Sequence, residues 1–142
     1  MRGADRVTAD VVFRARAGMG RKVRGVALVA SDGFSARYDL DRVAGVFSRP
    51  DHALAGRSYV DRVLVLNAAK GGVATAWMLH EMTARGVAPL ALVLNAVNPI
   101  MVQGAALAGF TMVSGFAADI TRAIRDGALV EVDPEMPGVR VI

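Results

Sequence analysis

From Arg62 onward the chain alternates short apolar runs with stretches of helical character, and this alternation limits the folds open to it. RVLVL (62–66), PLALVLN (89–95) and TMVSG (111–115) read as strands. WMLHEMTAR within 73–85, PIMVQGAALAG from Pro99, and FAADITRAIRDG (116–127) read as helices, and ALVEV (128–132) as a last strand. Runs of nearly pure apolar residues are expected of parallel strands covered on a face by helices, with right-handed helical crossovers between them. Pro99 suits a first helical position, and Gly86, Gly109 and Gly127 stand just past predicted helix ends.

The first half has a different texture. Val7–Gly18 reads as a strand with Phe13, Ala15 and Ala17 on one face and Arg14 and Arg16 on the other, and VRGVALVAS as a second strand. Residues 31–58 show no helical period and many turn residues, so short strands and irregular loop are expected there. Met136–Gly138 is read as a late turn before a short tail, VRVI. The expected fold class is α/β: one compact domain over 1–142, β-rich at its N-terminal half, with parallel strands linked by helices. A chain of 142 residues suits one such core and is too short for two comfortable domains.

Charge and composition narrow the function classes. The net charge is +4, but residues 1–24 carry seven Arg or Lys against two Asp, leaving the remainder about −1. A basic end of this kind fits nucleic acid, an acidic partner or anionic lipid. Phe13 is its single aromatic residue, so base stacking is poorly supplied and subunit contact is favoured over a nucleic-acid-binding module. The sequence has no cysteine and its opening residues have no apolar signal core, which fits a cytoplasmic protein. No run of 18 apolar residues is present to span a membrane. His52 and His80 stand in different contexts without metal-ligand spacing, and no standard phosphate loop or dinucleotide fingerprint occurs.

Three junctions concentrate polar chemistry. In NAAKGGVATAW, Lys70, Gly71 and Gly72 fall where a strand hands over to a helix, with Thr75 as a first-turn hydroxyl. Free N–H groups at a helix start attract negative charge, so the junction reads as an anion site or as a tight turn. NAVNP ends a second parallel strand, where Asn98 either contacts ligand or caps the helix begun by Pro99. RPDHALAGRS sets Asp51, His52 and Arg57 within seven positions, an acid, an imidazole and a guanidinium able to bind a carboxylate and shuttle protons. Trp77 reads as core or subunit interface ahead of substrate platform.

Taken in order, SRPDHALAGRS, DRVLVLNAAKGGVATAWMLHE and RGVAPLALVLNAVNPIMVQGAALAGF resemble the small subunit, or swivelling domain, of the aconitase X dehydratases, over about Val26 to Val132. The resemblance implies a β/β/α swivelling domain. It also implies loss of water from a small hydroxy acid, with an active site shared with a larger catalytic subunit that carries the iron–sulfur cluster or metal. This chain would bind no cofactor itself and be inactive alone. The substrate placed first is cis-3-hydroxy-L-proline, with mevalonate 5-phosphate as the alternative; a non-catalytic partner or regulatory domain is a further one. The implied site has Lys70 and Thr75 as catalytic residues, with Gly71, Gly72, Asp51, His52, Arg57 and Asn98 binding substrate. Many relatives have serines after the first glycine of the loop, whereas this chain has Gly72, Val73 and Ala74, with Thr75 the only hydroxyl. Backbone N–H groups beside the Lys70 charge would then carry the anion.

Overall fold

The computed structural model describes residues 11–69, 73–107 and 109–142. Residues 7–10 of the first expected strand, and Lys70, Gly71 and Gly72 of the glycine-rich junction, lie outside the described residues. The described elements are β1 (Val11–Met19), β2 (Val23–Val29), β3 (Leu40–Asp41), β4 (Val46–Phe47), β5 (Val63–Ala68), α1 (Val73–Arg85), β6 (Ala91–Ala96), α2 (Pro99–Leu107), β7 (Thr111–Phe116), α3 (Ile120–Ala123), β8 (Leu129–Asp133) and β9 (Gly138–Val141).

The strands close into a barrel in the order β9-β1-β7-β6-β5-β2-β8, with β8 returning to β9. At its centre β2, β5, β6 and β7 run parallel, in register through Ala27–Val63–Ala91–Thr111. The other joins are antiparallel.

Side-chain size sorts the two faces of the parallel strands. Ala27, Val63, Val65, Ala91, Val93 and Val113 turn inward, where they meet Val130, Val132 and Val139 from the antiparallel strands. Leu28, Leu64, Leu66, Leu92, Leu94 and Met112 turn outward against Leu79 and Met82 of α1 and Met101 and Ala105 of α2. Small and β-branched residues fit a narrow lumen, and the longer leucines reach the helices about 10 Å away. All of these residues are buried.

The helix ends are set locally. Asn98 caps α2, its Oδ1 accepting the Met101 N–H at 2.9 Å. Gly86 and Gly109 adopt left-handed φ of 74° and 67°. That conformation lets Val87 N–H reach Met82 O and Phe110 N–H reach Ala105 O, satisfying carbonyls at the ends of α1 and α2.

Three expectations need correction. The third helix, expected over 116–127, is a single turn, Ile120–Ala123. Asp119 caps it, but Ile124 is already extended at φ −108°, ψ 130°. Ile120 and Ile124 are both buried among the lumen residues, and Gly127 N–H then bonds to Ala27 O. Burial of two isoleucines and pairing with β2 outweigh continuation of the helix. The segment 128–132 is antiparallel to β2 and β9, so the last strand does not extend the parallel set. The expected late turn and tail instead yield a strand, β9, which begins at Gly138, takes in the first three residues of VRVI, and pairs with β1 on one side and β8 on the other, so closing the barrel. Only four residues long, it carries too little pattern to stand out from a tail.

No helix among the described residues is long and apolar enough to cross a membrane.

Gly138 tests the closure. A Cβ there would sit 2.8 Å from Phe13 O, a backbone atom of β1. Gly138→Ala should therefore destabilise the chain by about 1–3 kcal/mol in urea titrations. Were 138–141 a loose tail, the same change would be neutral or slightly stabilising, through lost freedom in the unfolded chain.

Candidate functional site

The parallel strands β2, β5 and β6 deliver their C-terminal ends to one edge of the barrel, where their following loops gather. After β2, residues 32–34 continue alongside β5: Asn67 N–H bonds to Asp32 O at 2.9 Å and Phe34 N–H to Ala68 O at 2.8 Å. The chain then folds into a tight turn. Asp39 N–H bonds to Ser35 O at 3.0 Å, and Asp39 Oδ2 accepts the Ser35 N–H at 2.9 Å.

This turn is locked to the 48–57 loop by Arg49. Its Nε donates to Asp39 Oδ1 at 2.7 Å and its Nη1 to Asp51 Oδ1 at 2.8 Å, while Nη2 lies 3.7 Å from Asp32 Oδ1. Its hydrogen bond to Asp39, against the opposing effect of desolvation, holds the guanidinium pKa above its ordinary value. Burial works to raise the Asp32 pKa, but the N–H groups of Gly33 and Ala53 and the charge of Arg49 outweigh it. The net effect is a pKa below the ordinary 3.8.

His52 completes the lock. Its Nδ1 accepts the Leu54 N–H at 3.0 Å, which leaves Nε2 to donate to Gly33 O at 2.8 Å. The ring stacks on Phe47 with centroids 4.6 Å apart and is buried. Both nitrogens are thus engaged by backbone, and the ring's role here is structural.

Between the 32–39 turn and the first turn of α1 lies a cavity of about 520 Å³, lined by Asp32 to Ser35, Arg37 to Asp39, Arg49, Ala74 and Thr75. Thr75 is 3% exposed, and its side-chain hydroxyl has no hydrogen bond to another described residue. Ser35 Oγ accepts the Tyr38 N–H at 3.3 Å, and its own proton remains to be donated.

The structure therefore divides the residues singled out on sequence. Thr75 lines the cavity, and Asp51 and His52 stand behind it through Arg49 and Gly33. Arg57 turns elsewhere, to Asp126 at 3.3 Å, and Asn98 Oδ1 is spent on the helix cap. Trp77 is 67% exposed, so of the two structural roles considered for it, core is excluded. Lys70, Gly71 and Gly72 lie outside the described residues, immediately before α1. The β5 and β6 ends they adjoin are paired neighbours, with Ala68 opposite Ala96.

Asp32, Ser35, Arg37, Asp39 and Arg49 were not picked out on sequence. Their signal is faint, because each belongs to a turn whose partner is another irregular segment of the chain. Asn95, which frames the β6 junction, is likewise committed. Its Nδ2 donates to Asn67 Oδ1 and Asp119 Oδ1, and its Oδ1 accepts the Ile120 N–H. Bonds from the Thr121 side chain and from Asn95 hold the Asp119 carboxyl below its usual range.

The side chains present do not fit an iron–sulfur cluster or a metal. The sequence has no cysteine, and no group of three His, Cys, Asp or Glu among the described residues is arranged to hold a metal. The nearest approach, Asp32, Asp39, Asp51 and His52, is already occupied by Arg49 and by backbone.

A family model described as the aconitase X swivel domain matches residues 12–141. The chain belongs to this family. Among curated relatives, a phosphomevalonate dehydratase small subunit from Thermococcus sibiricus is 33% identical over 122 residues, spanning 86% of this chain and 92% of the relative. Another from Methanocella arvoryzae is 31% identical, spanning 80% and 86%. The crystal structure of holo aconitase X from Thermococcus kodakaraensis superposes with a TM-score of 0.84 at 21% identity, covering 93% of this chain and 98% of that one. That likeness is one of fold, a strand-rich mixed α/β domain with few helices.

Two tests follow from the lock between the loops. His52→Ala removes a buried ring and two hydrogen bonds, and should cost about 2–4 kcal/mol in a denaturant titration. A cost below about 0.5 kcal/mol would show that the ring is not structural. Asp32 and Asp119 have depressed folded pKa values, so their contribution is present above the ordinary 3.8 and is lost as pH falls through the folded values. The melting midpoint should fall between about pH 5 and about pH 3, less steeply in Asp32→Asn.

Proposed function

We propose that the chain is the small subunit of an aconitase X-type hydro-lyase, an enzyme only in complex with a larger catalytic subunit. We further propose that the complex dehydrates a phosphorylated hydroxy acid of the phosphomevalonate class. The observation that carries the reading is the match to phosphomevalonate dehydratase small subunits over most of both chains. The relatives' names support the phosphate-bearing alternative over cis-3-hydroxy-L-proline, the substrate placed first on sequence. The iron–sulfur cluster or metal implied by the resemblance is assigned to the partner, because the donor set here does not fit one.

This chain's own contribution is to bind, orient and enclose. The cavity beside Thr75 is the substrate-facing surface, and Lys70, Gly71 and Gly72, which precede α1 in the sequence, belong to the same substrate set. Lys70 supplies a point charge, and the glycines allow backbone N–H groups to approach an oxyanion. Docking against the partner excludes water, which strengthens each polar contact to the reacting molecule. Asp51 and His52 act at one remove by holding the 32–39 turn in place. Arg57 is left out of the substrate set, since its guanidinium pairs with Asp126, and Asn98, whose Oδ1 caps α2, stays in it.

The experiment is co-expression with an aconitase X large subunit, co-purification, and assay against phosphomevalonate and cis-3-hydroxy-L-proline. The complex should form and turn over phosphomevalonate, and the chain alone should turn over neither. In that complex Lys70→Ala should cut turnover at least about tenfold, equivalent to 1.4 kcal/mol of lost transition-state stabilisation. A complex that consumes only hydroxyproline would reverse the substrate choice. One that forms and dehydrates nothing would make the chain a non-catalytic partner.

A further inference from the structure

The cavity contains two guanidinium groups in opposite electrostatic situations. Arg49 is surrounded by Asp32, Asp39 and Asp51, so its charge is spent on holding two loops together. Arg37 is exposed at the cavity wall and forms no ion pair with a described residue. Its Cζ lies 5.7 Å from the centroid of the Tyr38 ring. A cation over an aromatic face is steadied there, while its N–H edges stay available to an incoming oxyanion.

The carboxylates in the same cavity keep their charge, but their oxygens are turned toward donors of the protein itself. Both oxygens of Asp32 accept backbone N–H groups, from Gly33 and Ala53. Both oxygens of Asp39 are likewise engaged, by Arg49 and the Ser35 N–H. What remains unspent is a donor set: the Arg37 guanidinium and the hydroxyls of Ser35 and Thr75, the latter nearly inaccessible to solvent. Its volume of about 520 Å³ lies in the range of small-ligand sites.

We propose that Arg37 is a specificity residue of this chain, binding the phosphate group of the substrate as a bidentate partner, with the Ser35 and Thr75 hydroxyls completing the subsite. This rests on the function proposed above and assigns one end of the substrate to one side of the interface. The hydroxyl that leaves and the carbon that loses a proton face the larger subunit, because the described residues of this chain hold no donor set for a metal. The end of the substrate that reaches this cavity is therefore the distal one. A phosphate dianion suits a forked guanidinium with two hydroxyl donors better than a single carboxylate does, having three oxygens to satisfy.

The test uses the complex with the large subunit, as wild type, Arg37→Gln and Arg37→Lys. Arg37→Gln should raise the KM for phosphomevalonate at least about tenfold and leave kcat within about threefold, the pattern of lost binding rather than lost chemistry. Arg37→Lys should recover part of the loss, and the melting midpoint should not move in either variant. Titration with inorganic phosphate, followed by its phosphorus resonance, should show binding to the wild-type complex that weakens at least about tenfold in Arg37→Gln. Acetate should not displace the phosphate at equal concentration. Unchanged KM and phosphate affinity in Arg37→Gln would overturn the assignment, as would absence of phosphate binding to the wild type. Displacement by acetate as effective as by phosphate would show a carboxylate site instead. Arg37-dependent phosphate binding in a complex that does not consume phosphomevalonate would leave the subsite standing and refute the proposed substrate.

Discussion

The four parallel strands must bury both of their faces, and the rest of the molecule is arranged around that requirement. Alanine and valine fill a lumen that β8, β9 and β1 close from the far side, while leucine meets the two long helices. Neither face is satisfied by the parallel strands alone. The lumen needs Val130, Val132 and Val139 from residues late in the chain, together with Ile120 and Ile124. A barrel has no open sheet edge among its members, which also removes a route to edge-to-edge association. The same geometry brings the C-terminal ends of β2, β5 and β6 to one edge, and the loops that follow them build the cavity.

Within that edge, charge is used in two ways. Arg49 makes the strongest commitment to structure, drawing Asp32, Asp39 and Asp51 from two irregular segments around one guanidinium. His52 adds a neutral clasp through Gly33 O and the Leu54 N–H. A cavity walled by loops would ordinarily be soft, because loops carry little buried apolar area. Here buried Phe34, Phe47, Leu54 and Tyr59 lie beneath the ion pairs and tie the loops to the main core. With Arg49 committed to those carboxylates, the donors still facing the cavity define its ligand preference.

Much of the fold was legible because period and length are strong signals where strands are fully buried. The strand-helix-strand alternation from Arg62, the bounds of α1 and the glycines after α1 and α2 follow from local chemistry. The short α3, the antiparallel course of β8 and the strand in the C-terminal tail did not, because each depends on a partner distant in sequence. The candidate site was less legible for the same reason. Thr75 stood out at a helix start, and Asp51, His52 and Arg57 stood out as a dense polar run. Sequence spacing cannot distinguish a histidine whose two nitrogens meet backbone from one offered to a ligand. Nor does it reveal that Arg49 is neutralised while Arg37, twelve positions earlier, is not.

The central claim is that the cavity between the 32–39 turn and α1 is this chain's half of a shared active site. A structure of the complex with the large subunit and bound substrate tests that most directly. The account predicts substrate density spanning the two chains, with its phosphate against Arg37 and Thr75 and its hydroxyl-bearing carbon toward the partner. Density enclosed entirely by the partner, or a small subunit docked with this cavity facing solvent, would contradict it.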